Sequence, residues 1–288
     1  MNGVIILALK KQSYYHAAAN LAMSIKFYNP NINITLVSDM GHNAHFMAEH
    51  YSYFDWIKEI KHEDYNDENG FSPALGKINT YKYSTYDNTL YIDADTLVLK
   101  DLQPLIDKLS SQNGNFYSNV LGSGGYNDDI HYQAWATNEK LWSYFELKKE
   151  QTVYTFNSSW FFFNNKSKSI FEKVLFNYNN GFVKEDLKHN WGNTLPDELF
   201  FYGTLAQLEI NPSVDFDVCF FGHMVDDRSL DDLQNQYYMF TLYGGKATVR
   251  LNYREWYDRI CQMMCRKNKL NHYFKSHGIL QGKHVLVQ

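Results

Sequence analysis

The sequence predicts an α/β protein, a Rossmann-like mixed sheet flanked by helices, with a basic helical segment at its C-terminus. Three observations carry that expectation. Over the first ninety residues, short apolar runs alternate with helix-like stretches through short connections, as in a sheet whose strands are covered by helices. With 288 residues, 44% of them hydrophobic, the chain is long enough to bury such a core. The charge is unevenly divided: residues 246–288 hold nine Lys and Arg against Glu255 and Asp258, a net of +7, and the remainder carries −12.

The first strand is expected over Val4 to Leu9, bounded by Lys10 and Lys11, and the Ala-rich stretch Tyr14 to Tyr28 follows as a helix. Ile32 to Ser38 reads as the second strand and runs into Asp39. A second cycle comprises a helix over Ala44 to Tyr51, a strand over Trp56 to Ile60, a helix over Pro73 to Thr85 and a strand over Leu90 to Ile92. Ligands of such sheets sit at the carboxyl ends of the strands. Gly-x-Gly-x-x-Gly does not follow the first strand, which disfavours a dinucleotide oxidoreductase. The second half is mixed, with a strand over Thr152 to Phe163, helices over Ser167 to Tyr178 and Pro196 to Leu208, and loop punctuation at Gly122 to Gly125 and at Gly244-Gly245. The expected organisation is one domain over 1–245, with halves 1–102 and 103–245, and an appendage over 246–288. No apolar run approaches the ~18 residues of a membrane span, and no basic residues precede the opening apolar run, so a cytoplasmic protein, at most peripheral to a membrane, is expected. Cys219, Cys261 and Cys265 contain no Cys-x-x-Cys spacing and imply no disulfide framework.

The chemistry concentrates where the strand at Leu90 runs into Asp93-Ala94-Asp95. In extended chain alternate side chains share a face, so both carboxylates are expected on one side and Ala94 on the other. A diphosphate ~4 Å from such a pair meets about 4 kcal/mol of repulsion per charge pair at an effective dielectric of 20. A divalent cation removes that penalty, and Mg²⁺ or Mn²⁺ takes one or two carboxylates plus phosphate oxygens. The plain alternative is a solvated turn, since Asp is a common turn residue. Asp39, at the end of the second strand, is placed to accept hydrogen bonds from a ribose or base, and Tyr14 or Tyr15 to stack on a base.

The block from Lys77 to Leu102, KINTYKYSTYDNTLYIDADTLVLKDL, resembles the central block of glycogenin-like glycosyltransferases of the GT-A fold. Phe156-Asn-Ser-Ser159 before a hydrophobic run resembles that family's Phe-Asn-Ser-Gly strand, and Pro196-Asp-Glu198 before a helix resembles its Asp-Gln element. The resemblance implies transfer of a sugar from a nucleotide diphosphate, UDP by default. It implies that Asp93 and Asp95 hold Mn²⁺ or Mg²⁺, that Lys77 lies near the nucleotide or sugar, and that Asn157 and Asp197 contact the donor sugar. Asp197 or Glu198 would then stabilise the sugar cation if configuration is retained, whereas an acid acting as base on the acceptor would invert it. As plain alternatives, Lys77 is a solvated helix lysine, and Asp197 and Glu198 are helix-start acids favoured by the dipole.

Two departures bear on the site. Glu198 stands where the family has Gln. The family's third metal ligand is a His followed six residues later by Lys-Pro-Trp, a string missing here; His277 keeps the spacing to Lys283, a candidate donor-binding lysine, whereas His223 keeps the strand-end setting. A strand running into Asp-x-Asp also resembles haloacid-dehalogenase-like phosphatases, but Leu97 departs from that motif and several elements precede it. A catalytically silent carbohydrate-binding relative is a third reading.

From Tyr253, the residues Tyr253, Trp256, Tyr257, Ile260, Met263, Met264 and Leu270 recur at helical spacing beside Arg254, Arg259, Arg266, Lys267 and Lys269. Such a helix either packs on the body with a solvated charged face, or places the protein on an anionic acceptor or surface. That surface would be DNA carrying modified bases, or a membrane bearing a lipid-linked or lipopolysaccharide glycan.

Overall fold

The computed structural model describes residues 1–40, 51–129, 135–180, 184–187, 195–221, 229–242 and 251–267. Its opening strand β1 (Asn2–Ala8) leads into α1 (Gln12–Tyr28), and β2 (Asn33–Ser38) pairs parallel to β1. Strand β3 (Trp56–Glu59) adds at the edge beside β2. A small hairpin, β4 (Asn66–Asp67) and β5 (Gly70–Phe71), precedes α2 (Pro73–Asn79), and β6 (Asn88–Ile92) pairs parallel on the other side of β1. After β7 (Thr96–Val98) and α3 (Gln103–Ser111), the chain returns through β8 (Phe116–Gly124), α4 (Asn138–Tyr144) and β9 (Val153–Asn164). Antiparallel pairing of β9 with both β6 and β8 completes a six-stranded sheet of order β3-β2-β1-β6-β9-β8. Helices α5 (Lys168–Asn179) and α6 (Asp197–Gln207) follow. Then come β10 (Cys219–Phe221), α7 (Leu230–Gln236), β11 (Met239–Thr241) and α8 (Leu251–Lys267). Strands β10, β11 and β7 form a separate three-stranded sheet.

Strand alternation divides the core in two. Val4, Ile6, Leu90 and Ile92 face a layer built from α1, α3 and α8, while Ile5 and Tyr91 face one built from α2, α5 and α6. Helix α1 is buried on all sides from Tyr15 to Ile25, and Ala17, Ala18, Ala19 and Ala22 let its neighbours pack close. The second layer is aromatic: Phe161 stacks on Tyr91 at 4.5 Å and packs on Phe116 at 5.5 Å and Phe201 at 5.3 Å. Among the described residues, no helix is long and apolar enough to cross a membrane.

Most expected elements lie within a residue or two of their observed bounds, and three readings change. The helix expected over Pro73 to Thr85 stops at Asn79 and tightens into a 3-10 turn over Thr80–Tyr83, where the Thr80 hydroxyl donates to the Lys77 carbonyl at 2.7 Å. Gly122 to Gly124 are the end of β8 rather than a loop, beside an irregularity between Val120 and Gly122. In α8 the aromatic face is spent on the body. Tyr257, Ile260, Cys261 and Met264 are buried, and the Tyr257 hydroxyl accepts from Asn20 Nδ2 on α1 at 3.2 Å. That face cannot also lie in a bilayer; the exposed face presents Glu255, Arg259, Met263 and Arg266. The helix expected over Ala44 to Tyr51, apart from Tyr51, lies outside the described residues, as do Gly244-Gly245, Lys269 and Leu270.

Phe161→Ala removes the centre of the aromatic layer and is expected to cost ~3–5 kcal/mol in urea unfolding. A loss below ~1 kcal/mol would show that the ring stack does not hold the layer together.

Candidate active site

The site grows from the carboxyl end of β6. The Asp93 amide still donates to the Ser159 carbonyl of β9 at 2.7 Å, but the chain then turns, with the Thr96 amide donating to the Asp93 carbonyl at 3.1 Å. Asp93-Ala94-Asp95 is therefore a turn between β6 and β7, not the extended segment that alternation assumed. Ala94, 5% exposed, is turned into the core. The two carboxylates remain close enough that Asp95 is pushed up to about 7, by burial first and by the charge of Asp93 next. Tyr91 donates to Asp93 Oδ1 at 2.7 Å, and Thr241 Oγ1 lies 3.5 Å from Asp95 Oδ1.

Helix α2 delivers Lys77. Ser72 caps it by accepting from the Leu75 amide, and Pro73 opens it, which fixes the helix start and hence the direction of its side chains. The Lys77 ammonium lies 3.0 Å from Asp93 Oδ1 and 3.1 Å from Oδ2, 3.0 Å from Ser158 Oγ, 3.3 Å from the Ser158 carbonyl and 3.5 Å from Asp197 Oδ2. With a side chain 13% exposed, it is not a solvated helix lysine. Burial alone would lower its proton affinity, but Asp197 and Asp93 outweigh that and hold it above the ordinary lysine value.

Helix α6 supplies Asp197 and Glu198 in its first turn, where the dipole favours acids. Glu198 is buried, and both its oxygens are held: Oε2 accepts from Trp135 Nε1 at 2.8 Å and Oε1 from the Ser158 amide at 3.1 Å. Burial, followed by the charge of Asp197, nevertheless pushes Glu198 up to about 7. Trp135 and Ser158 were not singled out by the sequence as site residues. Ser158 lies inside the Phe156–Ser159 block, whereas Trp135 carried no signal, because nothing local to it announces a partner on α6.

Among the other expected site residues, Asn157 is buried on β9 beside Ser158, with Oδ1 accepting from the Ser159 amide at 2.8 Å. Tyr14, 43% exposed, faces the carboxylate pair closely enough that Asp95 and Asp93 add to partial burial in raising its hydroxyl. Asp39 is engaged by the protein itself: it accepts from the Lys10 amide at 3.0 Å and from the Tyr15 hydroxyl, with the Lys10 ammonium 3.7 Å away. It ties together the carboxyl ends of β1 and β2, and Tyr15 is fully buried rather than open to a base. His223, His277 and Lys283 lie outside the described residues.

Asp93 and Asp95 fit a hard divalent cation as two of its ligands. They are oxygen donors, and the raised Asp95 marks a place short of positive charge. Among the described residues no three His, Cys, Asp or Glu converge to hold a metal alone, so further ligands would come from phosphate oxygens or from outside those residues.

The fold is that of GT-A glycosyltransferases. The bifunctional glycosyltransferase WbbM superposes with a TM-score of 0.60 at 13% identity, covering 98% of this chain and 51% of that one, so this chain spans about half of WbbM. The galactosyltransferase LgtC, solved with donor and acceptor sugar analogs, gives 0.56 at 14% identity, covering 91% of this chain and 96% of LgtC. The glycosyltransferase GlyE of Streptococcus pneumoniae gives 0.50 at 14%, covering 92% of this chain and 63% of GlyE. No family model matches the chain, and no curated protein matches its sequence.

Glu198 keeps its proton to about 7, whereas an unperturbed glutamate releases it near 4.5. The folded protein thus binds more protons than the unfolded one between those values, and stability falls as pH rises through that window. In chelator, Glu198→Gln is expected to flatten the fall in urea midpoint between about pH 5 and about pH 7.5. An unchanged slope would contradict the raised carboxyl.

Proposed function

We propose that the protein transfers a sugar from a nucleotide-diphosphate donor, UDP by preference, to an acceptor hydroxyl with Mn²⁺ or Mg²⁺ bound by Asp93 and Asp95. The observation that carries this reading is the buried Lys77 ammonium joining Asp93 to Asp197 at the carboxyl end of the central strands. The GT-A fold supports it, as does the capture of LgtC, on the same fold, with donor and acceptor sugar analogs.

Bound at Asp93 and Asp95, the cation would supply charge neutralisation for the diphosphate leaving group. The protein's own residues divide the remaining work. Lys77 adds a fixed positive charge where negative charge develops as the sugar–phosphate bond breaks. Asp197, on the other side of the same ammonium, faces the sugar and stabilises the positive charge growing at its anomeric carbon. Glu198 is held in a fixed position by Trp135 and Ser158, and in this reading Asp197 is the group nearest the sugar cation, with configuration retained. Tyr14 offers a partly exposed ring for the base, and Asn157 a polar wall for the sugar. Arg259 and Arg266 on the outer face of α8 suit an anionic acceptor, with charge rather than an inserted aromatic face making the contact.

Incubation with a panel of nucleotide sugars, Mn²⁺ and water should release nucleotide diphosphate, since transferases leak hydrolysis. Asp93→Asn and Asp95→Asn should each lower that release at least ~100-fold without unfolding the protein. Full release by either variant removes the metal assignment. Phosphate released from simple esters would instead indicate a phosphatase, and neither product a silent sugar-binding module.

A further inference from the structure

Among the described residues, three that are not glycine carry a positive φ: Lys10 at 61°, Glu146 at 49° and Glu209 at 56°. Glu146 and Glu209 lie just past the ends of α4 and α6, where a left-handed residue closes a helix. Leu147 and Ile210 accordingly donate back to the carbonyls of Trp142 and Leu205 at 2.9 Å. Lys10 follows a strand and closes no helix. Across it the Lys11 amide donates to the Leu9 carbonyl at 2.6 Å, a three-residue turn of the rare, strained kind. Glycine takes this conformation without strain, yet the chain places a lysine there.

Asp39, at the end of β2, holds the turn from the side. With a side chain only 7% exposed, it accepts from the Lys10 amide at 3.0 Å and from the Tyr15 hydroxyl. Its other oxygen lies 3.7 Å from the Lys10 ammonium, an ion pair longer than a hydrogen bond. The ammonium also sits 5.0 Å from the centre of the Tyr65 ring, while the lysine side chain remains 43% exposed. The turn therefore presents an accessible N–H donor where the sequence predicts an acceptor, Asp39.

This donor stands where a nucleotide bound at the carboxylate pair would end. The chain runs outward from β1 through β2 to β3 and then jumps back to β6 on the other side of β1. Ligands of such sheets bind at that switch point, past the carboxyl ends of β1 and β6. A diphosphate anchored at Asp93 and Asp95, at the end of β6, leaves its nucleoside to run past Tyr14 toward the end of β2, two strand spacings or about 10 Å away. An ammonium there meets the edge of the base. Uracil, thymine and guanine offer it a carbonyl oxygen, whereas cytosine and adenine turn an amino group toward it, donor against donor.

We propose that Lys10 is a specificity-determining residue of the donor site, its ammonium donating to a carbonyl oxygen of the base and so selecting a nucleoside diphosphate with an oxo base over one with an amino base. The proposal rests on the transferase reading, which supplies the nucleotide. UDP and CDP differ at that edge of the ring, so calorimetric titration of each in Mn²⁺ reads the selection. UDP should bind at least about tenfold more tightly than CDP. Lys10→Met, which keeps the aliphatic stem, and Lys10→Gly, which suits the positive φ, should both remove the preference while the protein still unfolds cooperatively in urea. A lysine that only braced Asp39 would, when replaced, weaken both nucleotides alike and leave their ratio as it was. That result, or binding of CDP by the unaltered protein as tightly as UDP, would overturn the assignment and leave the transferase reading standing. Binding of neither nucleotide in Mn²⁺ would overturn the transferase reading and the assignment with it.

Discussion

One buried ammonium organises the molecule's working end. Lys77 reaches carboxylates from two other elements, Asp93 after β6 and Asp197 at the start of α6, together with Ser158 of β9. A charge removed from water this far is costly unless it is paired and hydrogen-bonded, and removing one partner of such a pair typically costs ~3–5 kcal/mol. The arrangement thus fixes the register of α2, the turn after β6 and the start of α6 against one another. Tyr91 extends the constraint into the core, with its hydroxyl on Asp93 and its ring stacked on Phe161.

The same cluster is short of positive charge. Asp93, Asp95, Asp197 and Glu198 surround one ammonium, and the deficit shows in Asp95 and Glu198, each pushed up to about 7 by burial and a neighbouring acid. A divalent cation held there would offset that deficit and the charge of a diphosphate. Glu198 is the departure from the glycogenin-like pattern with the clearest structural consequence. Two N–H donors, Trp135 and Ser158, hold its carboxyl in place without offsetting burial and the charge of Asp197. The acid is built into the fold rather than tolerated by it.

What the sequence made legible were features that repeat locally. The apolar runs of β1 and β6, the Ala-rich stretch of α1 and the strand leading into Asp93 and Asp95 could be read because each residue's role follows from its near neighbours. Lys77, Asp93 and Asp197 come together in the structure, with Glu198 next to Asp197 at the start of α6. Asp39 turned inward, because Lys10 and Tyr15, next to it only through the pairing of β1 and β2, use its oxygens. Trp135 was illegible for the same reason, its partner lying 63 positions away. The pairing of β10, β11 and β7 into a small sheet was not read, because three-residue strands far apart in the chain carry too little pattern to show their partners. The buried face of α8 reads identically whether it meets α1 or a membrane, and its packing on α1, with Tyr257 on Asn20 and Cys265 on Met23, decides between them.

The central claim is that Asp93 and Asp95 recruit a cation which the diphosphate requires. Calorimetric titration of UDP into the protein measures this most directly, first with Mn²⁺ and then in excess chelator. The account predicts saturable binding with Mn²⁺ and its loss in chelator; binding of equal strength under both conditions would contradict it.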